Sequence, residues 1–405
     1  MQFSHVGFRS GRWVALAALI TAAVTLTAGL PAPVADAAVS VSSPARHLGI
    51  RGSVLSVRPL TGPQALPSAS RNLLVTYVSR GVAGKAIRVT GTVALPKGRP
   101  PANGWPVISW AHGTTGTADA CAPSRNTSGG PADDYIFIAN TTLDGWVANG
   151  FAVAQTDYEG LGTPGEHPYM NGASAADTVI DMVRAARRVD RRVGRDWFAV
   201  GHSQGGHAAL FTAMTQNAAG DVRLRGAVSI APGGWDMSQV APYILSGAPG
   251  ADQAIAFLPT LLIGAAAADG AVDPGRLLTP EAAPLLTTAR SGCMAQIRET
   301  AARIPADRVF AQGADLAPLT AYLRSQEPVG LETEVPTLVA QGSADALTPK
   351  ASTDRIVAGM CAKASKVTYR VYEGVDHRGS IAASFNDALA FVELIRSGRT
   401  PVTTC

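Results

Sequence analysis

Lysine is nearly absent from this chain of 405 residues, with 5 against 29 arginines. Charged residues make up 16% of the sequence and aromatics 6%, and nowhere does a basic run interleave with aromatics. That argues against a nucleic-acid partner. The formal net charge of +4 supports only a mild attraction to anionic surfaces. Cysteine is scarce too: Cys121, Cys293, Cys361 and Cys405 are scattered, with no C-x-x-C pair, which speaks against a cysteine-held metal. Beyond residue 40 no stretch reads as a bilayer span. What remains is ordinary globular material, 46% hydrophobic, and long enough for one large domain with a sizeable insertion.

The one long apolar run lies at the start. Arg9 and Arg12 precede Trp13 to Leu30, and "PAPVADAAVS" follows with Ala35 and Ala37 in an A-x-A pattern. This is the grammar of a secretory signal, residues 1–37, cut near Ala37–Ala38. A retained anchor is the competing reading, since the run approaches spanning length. An even number of cysteines in an exported chain suggests two disulfides, and spacing leaves all three pairings open.

Residues 72–96, "NLLVTYVSRGVAGKAIRVTGTVALP", alternate polar and apolar around a glycine-containing turn, the pattern of an antiparallel hairpin. Short apolar blocks follow: "PVISW", "FAVAQ", "WFAV", "AVSI", "TLVA" and "VTYRVY". Helical patterns separate several of them. In "SAADTVIDMVRAARRVD", Val179, Met182, Val183 and Ala186 form one stripe. Strand alternating with helix predicts an α/β fold with a mostly parallel sheet covered on both faces. Residues 233–334 break the rhythm, rich in Ala, Leu, Pro and Gly with no clear strand. A span of that length is too long for a loop. We expect an inserted helical cap there, over a core made of 38–232 and 335–405.

"WFAVGHSQGGHAAL" runs from a buried strand through Ser203 into a helix. In G-x-S-x-G the serine sits on a strained strand-to-helix turn, its hydroxyl raised above the sheet edge. A serine at its free pKa is a weak nucleophile and needs a base and an orienting acid, in the chain order Ser, Asp or Glu, His. Among the histidines only His377, in "YEGVDHRGS", lies far downstream and just past the last apolar strand. Asp345, in "PTLVAQGSADALTP", follows the preceding strand by a short loop. Its rival Asp376 adjoins His377, and neighbours in sequence seldom aim their side chains at each other. Oxyanion donors are expected from the backbone N–H of Gln204 and from Thr114 or Thr115 in "AHGTTG". Asp157, Glu159 and His167 in "TDYEGLGTPGEHPY" invite a metal reading, but a hydrogen-bonded loop bracing the site is simpler.

"AHGTTG", "TDYEGLGTPGEHPY", "GHSQGG", "QGSADALTP" and the final "DH", in this order, resemble the secretory lipase family of fungi and actinobacteria, lipase A-like α/β-hydrolases with a helical cap. The likeness runs from about residue 70 to the end, and "DYEGLGTPG" with "GHSQGG" is its most specific part. It implies a secreted carboxylic-ester hydrolase with Ser203, Asp345 and His377 as triad, acting on lipid or small esters without metal or organic cofactor. It also implies the pairings Cys121–Cys293 and Cys361–Cys405, and transient association with a lipid interface. A serine peptidase on the same fold is the alternative, as is a secreted binding protein that kept the fold and lost catalysis.

Overall fold

The computed structural model describes residues 49–215 and 220–405; the signal-peptide reading of residues 1–37 falls outside them. The described chain builds one nine-stranded sheet in the order β1-β2-β3-β5-β4-β6-β7-β8-β9. Its strands are β1 (Val54–Pro59), β2 (Arg71–Arg80), β3 (Ala86–Leu95), β4 (Trp105–Ala111), β5 (Ala152–Thr156), β6 (Val193–His202), β7 (Arg223–Ile230), β8 (Thr337–Gly342) and β9 (Val367–Tyr372). From β1 to β5 neighbours pair antiparallel, and from β5 onward every pairing is parallel. The hairpin of residues 72–96 is β2–β3, and the six apolar blocks become β4 to β9. The sheet is that of an α/β-hydrolase.

The parallel strands are buried on both faces because successive side chains point to opposite sides. On β6, Trp197 and Ala199 join one core cluster while Phe198 and Val200 join the other. The first cluster is closed by α2 (Gly172–Val189) and α3 (Gln204–Ala213), through the expected stripe of Val179, Met182, Val183 and Ala186. The second is closed by α1 (Asp133–Ala148) and by the last helix, Phe385–Arg396.

Between β7 and β8 the chain forms helices only: α4 (Val240–Leu245), α5 (Ala251–Ala268), α6 (Pro274–Leu277), α7 (Pro284–Ser291), α8 (Met294–Ala301) and α9 (Ala317–Ser325), with single 3-10 turns. They share their own apolar cluster, to which Tyr169 and Met170 from the loop after β5 contribute. One expectation fails here. By length and composition α5 is apolar enough to cross a bilayer, contrary to the sequence reading, yet 61% of it is buried. Its apolarity is explained by packing against α4, α7, α8 and α9.

After β8 come α10 (Lys350–Ala362), α11 (Gly379–Ala383) and α12 (Phe385–Arg396). Two disulfides close the chain on itself: Cys121–Cys293 and Cys361–Cys405. The second holds the C-terminal tail along β9, where Thr404 N–H donates to the Val367 carbonyl at 2.8 Å and Thr368 Oγ1 to the Val402 carbonyl at 2.7 Å. The tail thus covers the sheet edge that β9 would otherwise leave open.

Candidate active site

Strand β6 ends at His202, α3 begins at Gln204, and Ser203 alone makes the turn, with φ 59° and ψ −116°. A positive φ on a non-glycine residue costs of order 1–3 kcal/mol and persists only where the surroundings impose it. Here they do. Ser203 N–H donates to the Ile230 carbonyl at 2.9 Å, and its own carbonyl accepts from His207 N–H at 3.1 Å and Gly233 N–H at 3.0 Å. Gly205 lets α3 start hard against β4: a Cβ there would lie 1.8 Å from the Ala111 carbonyl oxygen. No side chain fits, so the second glycine of the motif is a packing requirement. Ser203 stays half-buried among buried neighbours, and its hydroxyl does not cap α3.

His377 lies in the loop after β9, and Asp345 in the loop after β8. His377 Nδ1 and Asp345 Oδ2 are 2.7 Å apart. With that proton donated to the carboxylate, Nε2 keeps its lone pair. The Asp345 carboxylate collects further donors: the N–H groups of Leu347 and Thr348 at 2.9 and 2.8 Å, Thr348 Oγ1 at 2.7 Å and Gln341 Nε2 at 3.1 Å. Burial alone would push its pKa up, but His377 and these donors win and hold it below the usual carboxylate value. Asp376 turns away and accepts from Gly379 N–H at 2.7 Å, at the start of α11.

The loop after β4 leaves the same edge, since Ala111 pairs with Gly201 across the sheet. Gly113 N–H donates to the Tyr135 hydroxyl at 2.5 Å, and the Thr114 and Tyr169 hydroxyls bond at 2.7 Å. The Thr115 carbonyl accepts from Met294 N–H at 3.0 Å, Gly116 bridges to Cys293, and Thr117 Oγ1 donates to the Ala289 carbonyl at 2.6 Å. The Cys121–Cys293 disulfide clamps this contact. Thr115 is therefore held from the helical segment and Thr114 from Tyr169 in the loop after β5, while Gln204 stands at the first turn of α3, where N–H groups have no partner within the helix.

The side chains of the loop 156–169 are occupied separately. Asp157 accepts from Ser124 N–H at 2.9 Å and Thr90 Oγ1 at 2.7 Å; Glu159 accepts from Val82 N–H at 2.9 Å. His167 Nδ1–H donates to the Glu159 carbonyl at 2.8 Å and its Nε2 accepts from Gln204 Nε2 at 2.9 Å. Among the described residues no three His, Cys, Asp or Glu side chains gather as metal ligands. The loop thus fastens Gln204, next to the serine, to the body of the protein.

Several partners have no counterpart in the sequence reading. His202 Nε2–H donates to the His377 carbonyl at 2.9 Å, and its Nδ1 lies 3.3 Å from the Tyr135 hydroxyl. Burial, reinforced by nearby His377, drives the His202 pKa down to about 3, so the ring beside His377 stays neutral. Thr348 and Gln341 lie within "QGSADALTP", but the sequence reading gave them no role.

Ser203, Gln204 and His377 open on one cavity of about 550 Å³. Its walls come from the turn before α4, from α4 and α5 (Met237, Val240, Phe257, Leu261), from Met170, and from the start of α10. Most of the lining is apolar, the signature of a site for a greasy ligand.

Residues 132–379, well over half of the chain, match the family model described as "Serine aminopeptidase, S33". Nothing among curated proteins matches the sequence. Among solved structures, lipase A of Candida antarctica superposes with a TM-score of 0.74 at 17% identity, over 88% of this chain and 84% of that one. A ligand-bound rice cell wall degrading esterase LipA of Xanthomonas oryzae gives 0.64 at 21%, over 86% and 97%. A putative hydrolase of Legionella pneumophila gives 0.67 at 16%, over 85% and 98%. At such identities the likeness is one of fold.

Proposed function

As this chain belongs to the serine aminopeptidase S33 family of α/β-hydrolases, we propose that it is a secreted serine carboxylic-ester hydrolase, of lipase or esterase type, acting on acylglycerols or related lipid esters. The observation that carries this is His377, paired with Asp345 at 2.7 Å, sharing an apolar cavity with Ser203 on its strained turn. His377 Nε2 takes the proton of Ser203 as the hydroxyl oxygen attacks the ester carbonyl. Asp345 holds the imidazole in the right tautomer and stabilises its cation. Gln204 N–H and an N–H from Thr114 or Thr115 receive the oxyanion. His377 then protonates the leaving alcohol, and water, deprotonated by the same nitrogen, releases the acyl group from Ser203.

The family description favours a second reading, an aminopeptidase. Such an enzyme must hold a substrate ammonium and needs carboxylates beside the serine. The cavity offers Asp236 alone, and sets the cation Arg355 in the same wall. Its apolar lining and the fold shared with a lipase and an esterase support ester substrates instead. The helices between β7 and β8, residues 233–334, act as a cap over the core of 38–232 and 335–405. All four cysteines stand in disulfides, which supports export, with residues 1–37 as the signal.

A fluorophosphonate probe combined with matched p-nitrophenyl esters and anilides tests the reading. We expect labelling at Ser203, ester turnover and no amide turnover. Labelling elsewhere, or none, sinks the site; faster anilide than ester cleavage sinks the ester assignment.

A further inference from the structure

The cavity wall carries one permanent cation. Arg355 lies on α10, and its guanidinium sits over the Trp235 ring, 5.5 Å from the centroid, with both residues in the lining. Among the described residues Arg355 has no hydrogen bond or ion pair, unlike Arg51, Arg184 or Arg378, whose guanidiniums meet carboxylates. Stacking on an aromatic face fixes the plane of a guanidinium and leaves its N–H edge free. That free edge is a fork matched to a carboxylate or a phosphate. Asp236, the one carboxylate in the lining, forms no ion pair with it.

Chain connectivity links this cation to the imidazole. Thr348 Oγ1 lies 3.2 Å from His377 Nδ1, and α10 begins two residues later at Lys350. Arg355 lies five residues into α10, in the same lining as His377 and Ser203. Apolar wall from α5 and the segment around α4 lines the same cavity.

We propose that this site selects esters bearing a second, anionic group, carboxylate or phosphate, with Arg355 as the residue that reads the charge. The inference rests on the ester-hydrolase reading and names its substrate class. The anion is either the far end of the acyl chain or part of the alcohol.

Two matched pairs separate these sources: p-nitrophenyl octanoate against the p-nitrophenyl monoester of octanedioic acid, and 1-octanoylglycerol against 1-octanoylglycerol 3-phosphate. Wild type, Arg355→Lys and Arg355→Met are compared, with thermal unfolding as the check on folding. In the wild type the charged member of one pair is preferred, and the pair identifies the side that carries the anion. Arg355→Met lowers that charged-to-neutral ratio of kcat/KM at least tenfold, mainly through KM, and Arg355→Lys restores part of it. Neutral esters turned over with a ratio that Arg355→Met leaves unmoved overturn this inference alone. A wild type that cleaves none of the four overturns the ester reading with it.

Discussion

The backbone carbonyl of His377 accepts a hydrogen bond from the Nε2–H of His202 at 2.9 Å. His202 Nδ1 faces the Tyr135 hydroxyl at 3.3 Å, and that oxygen in turn accepts Gly113 N–H at 2.5 Å. One buried chain therefore ties the loop carrying the imidazole to the loop expected to bind the oxyanion, through the residue just before the serine. Because His202 is held neutral, it orients His377 without opposing its positive charge.

Tyr135→Phe cuts this chain. It strands the His202 Nδ1 lone pair and the Gly113 N–H, at about 1–3 kcal/mol for each unsatisfied buried group. We expect kcat to fall about tenfold, equivalent to roughly 1.4 kcal/mol of barrier, with KM little changed. Steady-state kinetics alongside thermal unfolding distinguish this from simple destabilisation. A variant less stable but equal in kcat would reduce Tyr135 to packing.

Substituting the two candidate acids separates their roles. Asp345→Asn places a neutral amide where five donors converge on a carboxylate, and loses the stabilisation of the imidazolium; a fall in kcat of about 10³–10⁴ is expected. Asp376→Asn alters only the bond from Gly379 N–H and should change kcat/KM less than about twofold, with stability reduced by about 1 kcal/mol or less. The reverse ranking would transfer the acid role to Asp376.

How much of this was legible in the sequence follows from what each residue depends on. Ser203, Asp345 and His377 stand just past the ends of apolar strands, so strand order and chain order suffice to nominate them, and the structure does bring them to one edge of the sheet. β1 gave no signal: Val54–Pro59 is exposed along nearly its whole length, so no buried face imposes an alternation. The carboxylate donors Thr348 and Gln341 lie beside Asp345 within "QGSADALTP", whereas Tyr135 reaches the site from α1. The relevance of Tyr135 arises from packing, not from any local pattern. Arg355 is the extreme case, one arginine among 29 until α10 places it in the cavity wall.

Acid should unfold this protein over a narrow range. Burial drives His167 and His202 down to about 3 and His207 down to about 4. The unfolded chain binds these protons near pH 6.5 and the folded chain does not, so stability falls as pH drops below that point. Each group contributes about 1.4 kcal/mol per pH unit, together about 4 kcal/mol per unit down to pH 4. Asp345 adds to the loss below pH 4, since its folded value is lowered. Against a typical stability of about 5–15 kcal/mol, unfolding is expected between about pH 4 and 5, with about three protons taken up. Tryptophan fluorescence and proton uptake against pH measure both. A stability unchanged from pH 7 to 4 would show these rings to be protonated in the fold.

The two disulfides should fail differently. Cys121–Cys293 closes a separation of 172 residues and Cys361–Cys405 one of 44, which by loop entropy stabilise by about 5 and about 4 kcal/mol. By stability alone they are near equals. Their positions are not, because Cys293 adjoins Met294, whose N–H holds the Thr115 carbonyl, and Gly116 pairs with Cys293 itself. The second bond only pins the tail to α10. Replacing both cysteines of the first pair by alanine should lower kcat at least tenfold, measured at a temperature where the protein remains folded. Removing the second pair should lower the unfolding temperature comparably while kcat stays within about twofold, the expectation for a group remote from the reacting atoms. Equal kcat in the two variants would free the Thr114–Thr115 loop from any dependence on the Cys121–Cys293 clamp, and with it weaken the case that this loop binds the oxyanion.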